Sequence, residues 1–284
     1  MGLRAQIDGF FTPPHGPGAP GPVASPSLRA IIAPHIDFHR GGPVYAWAYR
    51  EVAERCDADC FVILGTCHAG MDDPFALTFK DYDTPFGPAV VDREFADALA
   101  RRFGADLLGS ELAHRSEHSI EFQAVFLRYL FAGRREFTIV PVLAGFLHEA
   151  LLRGKDPEAD PTVGRFLDAL RETVATCRRK VCLVAGADLA HVGPRFGDPE
   201  PVSGPWLRKV ETEDRAMLES VTSLDAQGFF DSVAGDGDRR RICGLSPIYA
   251  LLRSVEAKSG GLLRYAQWPD PQGTVTFASA AFSA

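Results

Sequence analysis

The sequence predicts an α/β domain in which a central mixed, mostly parallel sheet is flanked by helices. Three observations predict it. Four short apolar runs, 28–33, 60–65, 137–143 and 181–186, have the length of strands and the unbroken apolar character of strands buried on both faces. Stretches between them, such as 44–55 and 161–178, carry apolar residues at helical spacing. Strand and helix patterns alternate along the chain, which is the order of a layered α/β sheet rather than of a β-sandwich.

The elements follow in chain order. Residues 12–27 (TPPHGPGAPGPVASPS) are so rich in Pro and Gly that residues 1–27 read as a flexible, poorly packed lead-in. His15 lies there and reads as solvent-exposed. The single domain then spans 28–284. Its first strand, 28–33, stops at Pro34, and a helix is expected over 44–55. The second strand, 60–65, leads into the loop Thr66-Cys67-His68-Ala69-Gly70. Short strands are expected at 75–79 and 88–91, and Asp92 reads as the N-cap of a helix to Phe103. A helix is expected over 116–131, then a third long strand at 137–143, where Pro141 suggests an edge or a bulge. The fourth, 181–186, runs into Ala187-Asp188-Leu189-Ala190-His191. Helical patterns at 205–221, 225–233 and 245–257 precede two closing strands at 261–267 and 274–282. No repeat of 20–50 residues is present.

Composition narrows the function. The 284 residues are 46% hydrophobic and 24% charged, ordinary values for a globular protein. A formal net charge of −7 argues against nucleic acid as a partner, because phosphate binding needs a basic face. No apolar stretch of roughly 18 residues and no basic-then-apolar N-terminus is present, so a membrane is not expected and a cytoplasmic location is. The six cysteines are scattered, unlike a disulfide framework. Cys56 and Cys60 lack the second pair of a structural zinc site, and Cys182 reads as core.

Four segments place a metal-capable or acid–base side chain just after an apolar run or at a loop-to-helix entry. They are Ala33-Pro34-His35, Gly65-Thr66-Cys67-His68, Gly186-Ala187-Asp188 with His191, and Ile242-Cys243-Gly244. In open α/β sheets ligands bind at the carboxyl ends of the strands, so these residues are expected to converge. A competing pattern is His114-x-x-Glu117-His118, which fits an inverted zinc-peptidase motif if 114–118 is helical. No G-x-G-x-x-G follows the first strand and no G-x-S-x-G is present, which sets aside dinucleotide and serine-hydrolase readings.

Seven segments, IIAPHIDFHRGGPVYAWAY, VILGTCHAG, TPFGPAVVD, EHSIEFQAVFL, FTIVPVLAG, GADLAHVG and ICGLSPI, occur in that order. Together the sequence resembles the Memo family, which includes the animal mediator of cell motility and the AmmeMemoRadiSam system protein B, and is related to LigB-type class III extradiol dioxygenases. The resemblance implies a LigB/Memo-like sheet with the site at one end. It implies His35, His68 and Cys243 as metal ligands and Asp188 and His191 as an acid–base pair; the chemistry of the two side chains further suggests that Asp188 orients His191. It also implies that His118 and Glu121 line the pocket. His39 and Cys67 are further metal-capable groups beside these motifs and are placed on the same lining. The ion expected is one transition metal, Fe(II) or copper, with zinc a further candidate. The activity implied is dioxygenase-like redox chemistry, although a thiolate stands where the dioxygenases hold a carboxylate. The alternative is a non-catalytic adaptor that binds metal, peptide or metabolite. Expected partners are a small molecule or peptide, together with radical-SAM and AMMECR-type proteins.

Overall fold

The computed structural model describes residues 2–284. The long strands are β1 (Leu28–Ala33), β2 (Cys60–Thr66), β5 (Thr138–Ala144) and β6 (Val181–Gly186). Shorter strands are β3 (Phe75–Leu77), β4 (Val90–Val91) and β7 (Asp188–Val192), and the closing pair is β8 (Ser259–Trp268) with β9 (Thr274–Ser283). They form one mixed sheet in the order β3-β5-β2-β6-β1-β9-β7, with β4 on β5 and β8 on β9. The central run β5-β2-β6-β1 is parallel, and β9, β7, β8 and β3 pair antiparallel. Every residue of β2 is buried, so both faces of the sheet centre are covered.

Helices α1 (Leu3–Phe10), α2 (Phe38–Arg55) and α4 (Glu121–Phe131) pack on one side. Helices α3 (Arg93–Phe103), α5 (Leu147–Arg153), α6 (Pro161–Thr176) and α9 (Leu245–Ser254) pack together elsewhere, with α9 against β2, β5 and β6. Helices α7 (Gly204–Thr222) and α8 (Ala226–Ala234) lie beside β8 and α9. Asp92 caps α3 as expected, its carboxylate accepting the Phe95 N–H at 2.9 Å. The edge or bulge expected at Pro141 is corrected: it lies in an interior strand in unbroken register with Ile63 of β2, and on the other side it falls between the residues that pair with β4 (Ile139) and with β3 (Val142).

The expectation for the start of the chain is corrected. Leu3–Phe10 is helical because Ile7 and Phe11 bury fully or nearly so against the core, and Phe10 lies against the bare Gly42 backbone of α2. Residues 12–27 form no helix or strand, yet they are pinned along α2. The His15 carbonyl accepts from the Trp47 indole at 3.1 Å, and the Ala24 N–H donates to the Glu54 carbonyl at 2.7 Å. Helix α2 also starts earlier than its Gly41-Gly42-Pro43 signal suggests. Phe38 packs on Tyr45, Phe122 and Phe126, and that contact outweighs the breaker residues.

Candidate metal centre

Strands β1, β6 and β2 are neighbours and parallel, so their carboxyl ends open side by side. His35 follows β1, Asp188 follows β6, and His68 follows β2. Helix α4 enters directly above them. The residues leading into it pass so close to β6 that a Cβ on Gly186 would fall 2.3 Å from the Ser119 carbonyl oxygen. That proximity brings Glu117 and His118, just before α4, onto the same edge.

His35 is buried, and its ring Nδ1–H donates to the Gly186 carbonyl at 2.9 Å. A carbonyl only accepts, so the proton is on Nδ1 and Nε2 carries a lone pair. His68 is held in the same way by a carboxylate. Its Nδ1 lies 3.0 Å from each Glu117 oxygen, and its backbone N–H donates to Glu117 Oε2 at 2.8 Å. His118 stacks on His68 with ring centroids 4.9 Å apart and an interplanar angle of 11°. One ring nitrogen from each of His35, His68 and His118 falls within 4.8 Å of the others. Among the described residues no other trio of His, Cys, Asp or Glu is arranged like this.

Cys243 joins the cluster through His35, its Sγ lying 3.3 Å from His35 Nε2. It stands in the loop before α9, and Gly244 lets that loop touch the β6–β7 turn. A Cβ there would lie 2.4 Å from the Asp188 carbonyl oxygen, whereas the bare Gly244 N–H donates to that oxygen at 3.0 Å. The Thr66 hydroxyl donates to the Cys243 carbonyl at 2.9 Å.

Asp188 and His191 reach the same cavity because β7 carries a bulge between them, which undoes the alternation that would turn them apart. The expectation that Asp188 orients His191 is corrected. Asp188 Oδ1 accepts the His35 backbone N–H at 2.9 Å, and the His191 Nδ1–H donates to the Leu189 carbonyl at 3.1 Å. His191 therefore also turns a free Nε2 outward. The cavity is about 320 Å³, walled by Phe122, Phe196 and Val275, with Arg40 and Arg195 at its rim.

Electrostatics favours neutral imidazoles at His35, His118 and His191, but not at His68. Burial, aided by His68, lowers the His35 pKa to about 3, and burial lowers His118 and His191. The Glu117 hydrogen bonds raise His68. Burial pushes Glu117 up, but the bonds from the His68 ring and backbone outweigh it and hold the carboxyl at about 2. Burial raises Asp188 to about 6 and drives the Cys243 thiol well above its ordinary value. A cation is what would draw off that thiol proton. Two imidazoles with Nδ1–H groups tied to a carbonyl and a carboxylate, and free Nε2 atoms converging, match the way proteins orient histidine ligands. The residues present fit a transition-metal ion.

Other expected lining residues lie elsewhere. His39 is exposed on α2, paired with Asp37 and resting on Trp268. The Cys67 thiol donates to the Gly70 carbonyl at 3.3 Å and is not on the cavity wall. Glu121 faces a neighbouring cavity beside Tyr82 and His114. The zinc-peptidase pattern does not form. Glu111–Arg115 is a 3-10 turn that ends before Glu117, and both His114 nitrogens are occupied, Nε2 by the Ala76 carbonyl at 3.0 Å and Nδ1 by the Tyr82 hydroxyl at 2.9 Å. Sequence reasoning missed Glu117 as the partner of His68, and placed His118 on the wall or in the zinc-peptidase pattern, not beside His35 and His68 in one cluster. No signal in the sequence located them, because the helix is expected from 116 and only its actual start at Glu121 leaves both residues on the strand edge.

Fold and site together define an α/β protein with an imidazole cluster that could hold a metal ion at the carboxyl edge of its sheet. The chain belongs to the Memo-like family, whose family profile, described as "Memo-like protein", matches residues 2–281. It is 31% identical over 278 residues to a MEMO1 family protein of Methanopyrus kandleri, covering 95% of this chain and 88% of that one. A MEMO1 family protein of Methanothermobacter thermautotrophicus is 30% identical over 277 residues, covering 95% and 89%. One from Caldivirga maquilingensis is 31% identical over 264 residues, covering 90% and 83%.

Proposed function

We propose that the protein binds one iron or copper ion through His35, His68 and Cys243, with His118 as an additional donor, and performs dioxygenase-like redox chemistry there. The observation that carries this reading is the pair of oriented imidazoles, His35 on the Gly186 carbonyl and His68 on the Glu117 carboxylate, with both Nε2 atoms turned to one cavity. Nitrogen and sulfur donors favour iron, copper or zinc over magnesium or calcium. When bound, the ion would supply a redox centre and a Lewis acid for small ligands.

The chain's own groups divide the remaining work. Asp188 fixes the His35 backbone, and Glu117 fixes the His68 ring. His191, neutral and with Nε2 free, takes a proton from a hydroxyl of the bound substrate and returns it. Phe122 and Phe196 exclude water from part of the cavity. The test is anaerobic reconstitution with Fe(II), then oxygen uptake with catechols and other small phenols. Tight iron binding without uptake for any of them would sink the redox assignment. His35→Ala and His68→Ala should each lose the metal, and Cys243→Ser should hold it more weakly and without the sulfur. A non-catalytic binding role is the second reading, favoured by Cys243 itself, because a sulfur beside activated oxygen is a target for oxidation.

A further inference from the structure

Histidines 35 and 68 are delivered by strand ends, but Cys243 arrives on an irregular loop between Ala234, the last residue of α8, and Leu245, the first of α9. That loop holds two non-glycine residues in left-handed backbone, Asp238 at φ +52° and Arg241 at φ +54°. Such conformations are costly for L-residues and persist where the surroundings over-determine them. What surrounds this loop is a pair of arginine clamps.

Arg240 is buried and its guanidinium pairs with Asp214 on α7, which has no exposed surface. Asp214 also accepts the Tyr265 hydroxyl at 2.9 Å and the Thr276 hydroxyl at 2.6 Å. The Thr276 oxygen in turn accepts the Ala190 N–H at 2.9 Å, and the Arg240 carbonyl accepts the His191 N–H at 2.7 Å. Arg241 grips Asp198 with two nitrogens, at 2.8 and 3.1 Å, and donates to the His191 carbonyl at 3.2 Å. The two arginines, three and two residues before Cys243, thus both fasten its loop to β7. A buried ion pair is a poor source of net stability compared with apolar packing, and its best-attested use is to fix one arrangement.

We propose that Arg240 and Arg241, through Asp214 and Asp198, are positioning residues that lock the Cys243 loop onto β7, holding the thiol and the His191 ring against the imidazole cluster as one unit. This role rests on Cys243 being a ligand. The clamps act on the sulfur and on His191, while His35 is held by β1, the Gly186 carbonyl and Asp188, and His68 by β2 and Glu117, through bonds in which neither arginine takes part. Loss of a clamp should therefore remove the sulfur from the metal and leave the imidazoles on it.

The experiment is an anaerobic titration of the full-length protein with Co(II) alone. A cobalt–thiolate bond gives a near-ultraviolet charge-transfer band, and the d–d bands in the visible report the whole ligand set. Wild type should show both, and Cys243→Ser only the visible bands. Absence of the charge-transfer band in wild type overturns Cys243 as a ligand, and this role with it. With the band present, Arg240→Met and Arg241→Gln should each cut it to less than about a third and weaken Co(II) binding ten- to a hundredfold, keeping visible bands. Arg240→Lys and Arg241→Lys should recover part of it. Arg241 is half-buried where Arg240 is fully buried, so Arg241→Gln decides the matter where Arg240→Met does not fold. Folded variants with wild-type charge transfer and affinity would overturn the proposal.

Discussion

The Glu117 carboxylate grips His68 twice, accepting its backbone N–H at 2.8 Å and lying 3.0 Å from its ring Nδ1 with both oxygens. The same carboxylate takes the N–H groups of His118 and Ser119, at 2.8 and 3.0 Å. One side chain therefore orients the His68 imidazole and fixes the backbone that carries the His118 ring.

Glu117→Gln should lower metal affinity about ten- to a hundredfold, the usual effect of losing a partner that orients a histidine ligand. The amide offers one acceptor where the carboxylate offered two, and it removes the charge that raises the basicity of His68. Competition with a chromophoric chelator measures the change. An unaltered affinity would mean that His68 is held by other contacts.

The same pair makes stability of the metal-free protein depend on pH. Glu117 has its pKa depressed from 4.5 to about 2, so its contribution is present above pH 4.5 and is lost as pH falls toward 2. His68 is raised above 6.5, so its contribution is present below 6.5 and is lost as pH rises through the raised value. Both hold between about pH 4.5 and 6.5. Glu117→Gln should cost most in that window, up to about 3 kcal/mol from the depression of Glu117, and less on either side. Urea unfolding at a series of pH values reads it. A penalty that is flat across the range would show that the ion pair contributes nothing.

The readable parts of this fold were those set by local apolar pattern. Val181–Gly186 is a strand with the bounds its apolar run implies, and Asp92 caps the helix it precedes. What escaped depends on contacts between distant residues. Phe38 starts α2 across a Gly-Gly-Pro signal because three aromatic rings receive it, and Ile7 folds a short N-terminal helix by finding a buried place. The bulge in β7 hides its alternation, so Asp188–Val192 read as a loop. In the site, His35 and His68 were legible because each follows a strand. Glu117 was not, because its role follows from the passage of α4 over Gly186, which no spacing in the sequence records.

That passage can be tested directly. Gly186→Ala would put a methyl 2.3 Å from the Ser119 carbonyl and about 3.0 Å from the Gln123 amide nitrogen, neither of which has slack. Overpacking of this kind costs about 1–3 kcal/mol, and relief requires α4 to lift and carry Glu117 and His118 with it. The expected result is lower stability in chemical denaturation together with weaker metal binding. Lower stability with unchanged metal binding would show that α4 can shift without disturbing the imidazoles.

His114→Ala separates structure from chemistry. The ring bridges the Ala76 carbonyl and the Tyr82 hydroxyl and has no free nitrogen to offer a metal. Its removal should cost about 1–3 kcal/mol through the partners it leaves unsatisfied, with metal content unchanged by elemental analysis. If the protein lost its metal, a ligand role for His114 would have to be restored.

His191 offers the sharpest division between binding and turnover. Its Nδ1–H is committed to the Leu189 carbonyl and its ring is braced edge-on against Phe196 at 4.9 Å, so the imidazole has one orientation with Nε2 toward the cavity. It lies outside the trio of clustered donors. His191→Gln keeps a donor for the Leu189 carbonyl and much of the volume, but cannot take up a proton near neutral pH. Metal affinity should therefore stay within about threefold, whereas oxygen uptake with an accepted phenol should fall about 10²- to 10⁴-fold, the range for loss of a general base. Because burial lowers the His191 pKa, the wild-type rate should hold as pH drops below 6.5 and decline at the lowered value, where the ring becomes protonated. The variant should lose that acid limb. A variant with wild-type uptake and the same acid limb would remove His191 from the chemistry and leave it a bracing role beside Phe196.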